Sequence, residues 1–179
     1  MPGAGKSTAG KHLAQALGVA FVDADHEIER RIGGSIRAFF ETEGEVAFRD
    51  VEEQVIADLA QRPGQVLATG GGAVLRPANR QALREHTTVI YLRATPEELF
   101  RRLRHDTQRP LLQVADPLRR LRDLYRDRDP LYREVAQFII ETGRPSVATM
   151  VNMILMQLEL AGLVDPAQVP ATVGVRLPR

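Results

Sequence analysis

Gly3-Ala4-Gly5-Lys6-Ser7-Thr8, at the very start of the chain, constrains the fold more than any other stretch. Glycines without a Cβ let the backbone curl with its N–H groups pointing inward, and the helix N-terminus that follows completes an anion cradle. In such a loop Lys6 supplies a point charge for the β- and γ-phosphates, and the Ser7 hydroxyl is placed to ligate Mg²⁺. Lysine occurs at positions 6 and 11 alone, whereas every other basic residue is arginine. The full pattern is G-x-x-x-x-G-K-[ST]. Its first glycine falls one residue before Met1, and the strand that normally feeds the loop has no residues here. A glycine-rich turn capping an ordinary helix is the bland alternative.

Periodicity then places the loop in an α/β context. Helices are expected over Ser7–Leu17, His26–Ile32, Ile36–Glu43, Glu45–Gln61, Asn79–Glu85, from Pro96, over Leu118–Arg126 and from the Ser146 cap to about Leu160. Gly44 separates the third and fourth of these. Short apolar runs at Val19–Val22, Val66–Ala68, Val89–Leu92 and Phe138–Ile140 read as strands buried in a parallel sheet. Strands alternating with helices give a parallel sheet covered on both faces, with ligands outside the carboxyl ends of the strands. Residues 104–117 are polar with two prolines and read as a mobile lid. At 179 residues the chain is expected to form one domain over 1–162, followed by a tail over 163–179 containing three prolines.

Several stretches converge on that carboxyl edge. Asp23 and Asp25 follow the first run; one can face a metal at Ser7 through water, the other can take a proton from an attacking hydroxyl. Asp25 can equally be a helix N-cap. Gly70-Gly71-Gly72 costs roughly 0.5–1 kcal/mol per glycine relative to alanine, so a run of three implies that something comes close to the main chain. Arg109, before Pro110-Leu111-Leu112, lies where a closing lid must bring positive charge to phosphates. Arg49 and Arg128 offer planar clamps for an acidic substrate. His12, His26, His86 and His105 have no metal-ligand spacing and read as surface or capping residues. The formal net charge is +1, and Arg101, Arg102 and Arg104 have no interleaved aromatics, so nucleic acid is not an expected partner. With no cysteine, disulfides and Cys-based zinc sites are excluded. No apolar run is long enough to span a membrane and no signal peptide is evident, so a cytoplasmic protein is expected.

These stretches together resemble the shikimate kinase family of small P-loop kinases. The resemblance rests on Pro2 to Thr8, Asp23-Ala24-Asp25, Gly44-Glu45 with Phe48-Arg49, Glu52-Glu53, Gly70-Gly71-Gly72, Arg109 to Leu112, and Arg128 with Pro130-Leu131-Tyr132. It extends to about Ala161. The phosphate loop alone would not separate this family from adenylate or gluconate kinases. The resemblance implies a three-layer P-loop NTPase fold with a parallel sheet in the order 2-3-1-4-5. It implies transfer of the ATP γ-phosphoryl group to the 3-hydroxyl of shikimate, a step of aromatic amino-acid synthesis, with Mg²⁺ as cofactor. Carried over by position, Gly3, Ala4, Gly5, Lys6, Ser7 and Thr8 bind ATP; Ser7 and Asp23 serve the metal, Asp23 through water. Asp25 binds the substrate hydroxyl and acts as base. Arg49 and Arg128 clamp the shikimate carboxylate beside Gly70, Gly71 and Gly72. Lys6 and Arg109 act on the phosphates, and Arg102 and Arg144 fall on the adenine side. A monomer is expected. The central strand of the family's sheet would lie upstream of Met1, so the expectation is a working protein that begins several residues earlier. Without that strand, a gap in the sheet and weak or absent activity are expected, because about five apolar side chains at roughly 1.5–3 kcal/mol each rival a domain's whole stability. The competing readings are another small-molecule kinase such as a gluconate kinase, and a nucleotide-binding regulatory module without catalysis.

Overall fold

The computed structural model describes residues 1–103, 114–143, 146–165 and 167. Helix α1 (Lys6–Leu17) leaves the glycine loop and stops at Gly18, whose N–H closes onto the carbonyls of Ala14 and Gln15. Strand β1 (Ala20–Asp23) runs straight into α2 (Ala24–Ile32). Ser35 caps α3 (Ile36–Ala60) by accepting a hydrogen bond from the Ala38 N–H. Strand β2 (Gln65–Ala68), a short 3₁₀ turn (Ala73–Leu75) and α4 (Pro77–His86) follow. Then come β3 (Ile90–Arg93), α5 (Pro96–Leu103), α6 (Pro117–Val135), β4 (Phe138–Glu141) and α7 (Val147–Leu160). Among the described residues no helix is long and apolar enough to cross a membrane.

The strands pair as two parallel couples. β1 lies beside β2 with Ala20 opposite Gln65 and Asp23 opposite Ala68. β3 lies beside β4 with Ile90 opposite Phe138 and Arg93 opposite Glu141. Each couple has its own core. Ile28, Phe48, Val55, Ile56 and Leu59 pack behind the first, and Leu99, Leu121, Val151 and Ile154 behind the second. Between β2 and β3 lies a cavity of about 660 Å³, lined by Val66, Leu67, Ile90 and Leu92 of the strands and by Leu13 of α1 and Leu158 of α7. This cavity corrects one expectation: the first two strands are not fully buried. Val22, Val66 and Leu67 are only partly buried, and Val66 and Leu67 border the open cavity.

One helix differs from expectation, and one expected break is found. α6 runs nine residues past Arg126, to Val135, and carries Pro130 inside it. The missing Pro130 N–H costs one ladder bond, but the core contacts of Leu124, Tyr132 and Val135 hold both halves in line. In α3 the break at Gly44 is real: φ is 83° and ψ is 176° inside an otherwise helical run. That conformation is open almost only to glycine. A Cβ at Gly44 would meet no atom within 4 Å, so backbone strain alone decides the effect of a side chain there. Gly44→Ala is expected to lower the unfolding free energy in urea by about 1–3 kcal/mol. Gly34→Ala, also in open space but without a positive φ, is expected to stay within about 0.5 kcal/mol of the parent.

Candidate functional site

The carboxyl ends of both strand couples meet the phosphate loop. Gly3 and Gly5 have φ of 74° and 87°, and Ala4 is fully buried between them. Lys6 opens α1, and its Nζ donates to the Met1 carbonyl at 2.9 Å. Ser7 and Thr8 are exposed at the mouth of the loop. Ser7 Oγ donates to Asp23 Oδ2 at 2.8 Å, so the two candidate metal-site residues are brought together. Hydroxyl and carboxylate oxygens are the donors a hard cation takes, and Mg²⁺ fills its other positions with water and phosphate oxygens. On the other flank, Arg102 donates to the Gly3 carbonyl at 3.3 Å and to the Thr142 carbonyl. It therefore sits between the phosphate loop and the chain leaving β4.

Asp25 is not the helix cap. Asp23 takes that role, its Oδ1 accepting the Asp25 N–H at 3.0 Å. Asp25 sits in the first turn of α2 and turns its side chain toward Gly70, where a Cβ would stand 2.9 Å from Asp25 Oδ1. Burial is the main cause that lifts the Asp25 carboxyl above its ordinary range; Asp23 adds to the shift and Lys6 opposes it.

The glycine run is explained by what approaches it. At Gly72 a Cβ would collide with the Arg49 guanidinium, as at Gly70 it would collide with Asp25. Gly71 is different: a Cβ there would lie 3.5 Å from Arg128 Nη1 and 3.6 Å from the Tyr132 hydroxyl, ordinary contact distances. At two of the three glycines a side chain would displace a charged group, and all three face a candidate side chain. Arg49, Asp25 and Arg128 come from α3, α2 and α6, and the run between β2 and α4 collects them.

Two further residues complete the arrangement. Glu52 is 2% exposed and accepts from Arg49 Nη1 at 2.6 Å. Burial raises the Glu52 carboxyl, and Arg49 pulls in the opposite direction. Tyr132 is buried and donates its hydroxyl to the Gly71 carbonyl at 2.5 Å. Both lie inside stretches that carried the family resemblance, but a lone Glu on a helix and a lone Tyr announce no role. His12, His26 and His86 are exposed. Among the described residues no group of three His, Cys, Asp or Glu is placed to hold a metal. Arg109, Arg144, His105 and the Pro-containing lid around Arg109 lie outside the described residues.

The Arg49–Glu52 pair is nearly dry, with side chains 12% and 3% exposed. Breaking such a pair strands a buried charge and costs about 3–5 kcal/mol. Glu52→Ala is therefore expected to destabilise the fold by that amount in denaturant melts, whereas Glu45→Ala, which removes the exposed partner 3.4 Å from Arg49, is expected to cost less than about 1 kcal/mol.

The shikimate kinase family model matches residues 2–159. A shikimate kinase of Paracidovorax citrulli is 62% identical over 170 residues, spanning 93% of each chain. A shikimate kinase of Ralstonia nicotianae is 60% identical over 164 residues, 92% of this chain and 86% of that one. Among solved structures, shikimate kinase from Acinetobacter baumannii in complex with shikimate superimposes with a TM-score of 0.84 at 48% identity, over 91% of this chain and 90% of that one. Shikimate kinase from Bacteroides thetaiotaomicron gives 0.82 at 31% identity, over 88% and 94%. A match of this identity and extent in sequence and in fold, over a phosphate loop that faces a carboxylate and two guanidinium groups, places the chain in the shikimate kinase family.

Proposed function

We propose that this chain transfers the γ-phosphoryl group of ATP to the 3-hydroxyl of shikimate, giving shikimate 3-phosphate for chorismate and aromatic amino-acid synthesis. One observation carries the reading: Asp25, Arg49 and Arg128 gather around Gly70–Gly72, next to the phosphate loop. A protein that only held a nucleotide would need neither the half-buried carboxylate nor the two guanidinium groups. Arg49 and Arg128 grip the carboxylate of the acid, with the Gly70–Gly72 main chain beside it. That grip turns the substrate hydroxyl toward Asp25, which accepts its proton as the oxygen attacks. A carboxyl lifted by burial is a better base near neutrality than a solvated one. Lys6 and the loop N–H groups hold the phosphates, and Arg109 adds charge from the lid. Ser7 and water on Asp23 would hold Mg²⁺, which neutralises charge on the β- and γ-oxygens when bound. Arg102 and Arg144 serve the adenine side. We read 1–162 as the catalytic domain and 163–179 as a tail. The protein acts as a monomer, and its use of ATP fits the cytoplasm.

We also infer that the two strand couples are the outer parts of one sheet in the order 2-3-1-4-5. The cavity between β2 and β3 supports this, since apolar side chains of both strands line it and it is flanked by two parallel couples. Five apolar residues added ahead of Met1 are expected to fill it. At several kcal/mol of burial, this should raise the unfolding midpoint by on the order of 10 °C and slow amide exchange in β2 and β3. An unchanged midpoint would remove the inferred strand order.

Activity is tested by coupled assay of ATP turnover with shikimate present and absent. Asp25→Asn is expected to lower kcat by at least ~10²-fold, the usual contribution of a positioned base, while nucleotide binding measured by calorimetry is retained. Turnover that survives the substitution unchanged would end the base assignment.

A further inference from the structure

Tyr132 joins two parts of the site that no local motif connects. Its ring lies against Tyr91 of β3, with centroids 4.8 Å apart and planes tilted by 32°. Tyr91 donates its hydroxyl to Asp129 at 2.8 Å, and Asp129 also accepts from Arg133 Nε at 2.7 Å. The body of Tyr132 is thus fixed both to the sheet and to its own helix. Its hydroxyl reaches out of that frame to the Gly71 carbonyl, 61 positions away in sequence. The Arg128 guanidinium, one turn earlier on α6, comes to the same spot: a Cβ at Gly71 would lie 3.5 Å from Arg128 Nη1 and 3.6 Å from the Tyr132 hydroxyl. A phenol has one proton to donate and lone pairs to accept with. Here the proton goes to the glycine run, which leaves the lone pairs on the side that a guanidinium can approach.

We propose that Tyr132 is a positioning residue for the acid substrate. Its hydroxyl sets the distance and angle between the Arg128 guanidinium and the Gly71 main chain, so that both address one carboxylate. This rests on the reading that Arg128 grips the substrate. A free arginine samples many rotamers, and ordering it on binding weakens affinity. Tyr132 does that ordering before the substrate arrives, and it also keeps the Gly71 peptide from turning.

The test compares the parent with Tyr132→Phe, Arg128→Ala and the double variant. Shikimate affinity is read by calorimetry, both KM values and kcat by steady-state assay, and folding by thermal melt. Tyr132→Phe is expected to weaken shikimate binding and raise its KM by roughly tenfold, the loss typical of one hydrogen bond to a charged group. The KM for ATP and kcat should move by less than about threefold, a split that a general loss of packing would not produce. In the double variant the tyrosine change should add almost nothing to Arg128→Ala, because it acts through that arginine. Equal losses for ATP and shikimate, full additivity, or unchanged shikimate affinity in Tyr132→Phe would each overturn the proposal. A parent chain that binds no shikimate would instead overturn the clamp reading beneath it.

Discussion

The site depends on a lack of side-chain volume at Gly70 and Gly72. Asp25 and the Arg49 guanidinium occupy the space that a Cβ at those positions would fill. A methyl group at either position would push a charged group out of place, and a displacement of about 1 Å is enough to lose ~10²-fold in rate. The run is therefore held from several sides. Arg76, just beyond it, forks to Asp50 at 2.7 Å and Glu53 at 3.1 Å on α3. Asn79 of α4 donates to the Ala73 carbonyl at 2.9 Å. Tyr132 holds the Gly71 carbonyl from α6. Three helices brace a segment that has no stiffness of its own.

Gathering charges in a sheltered place has an energetic cost. Burial pushes both Asp25 and Glu52 toward their neutral forms. Glu52 is offset by a short ion pair with Arg49, but Asp25 has Asp23 nearby, which raises it further. The fold would be more comfortable with an amide at position 25. An ionised carboxylate satisfied by strong partners would be a poor base, and the role proposed for Asp25 asks for the opposite. Glu52 holds Arg49 through a short ion pair, whereas Asp25 has a like charge beside it. Two carboxyls on neighbouring helices thus sit in opposite electrostatic settings, decided by whether an arginine faces them directly.

Much of this was readable from residue types and spacing. The phosphate loop, the strand–helix alternation and the break at Gly44 each follow from a short window with its own signal: glycines around a lysine, a change of hydrophobic period, a glycine inside a charged helical run. The errors have equally physical causes. Asp25 stood open as either a cap or a functional carboxylate, and only the geometry of the turn shows Asp23 capping α2 instead. α6 read as ending near Arg126 because Pro130 is a strong local breaker. The buried faces of Tyr132 and Val135, invisible without the partner elements, outweigh it. The strands read as buried because apolar runs imply covered faces, whereas cover depends on a neighbour that periodicity does not report. The Tyr132–Gly71 bond joins segments with α4, β3, α5 and most of α6 between them, and no window spans it. Local chemistry is legible in a sequence; which distant backbone oxygen a hydroxyl finds is a property of the packed whole.

The phosphate loop also has a mechanical place in this arrangement. β2 and β3 share no hydrogen bond, so the two strand couples are not joined through a ladder among the described residues. α1 and α7 pack on each other below, and at the carboxyl edge the loop makes the connection. Ser7 reaches Asp23 at the end of the first couple. Gly3, through Arg102, reaches Thr142 at the end of the second. The loop thus rests one anchor on each half. A ligand held by the loop would therefore touch a segment tied to both halves, so the loop is the one described element at this edge that links the end of β1 to the chain leaving β4.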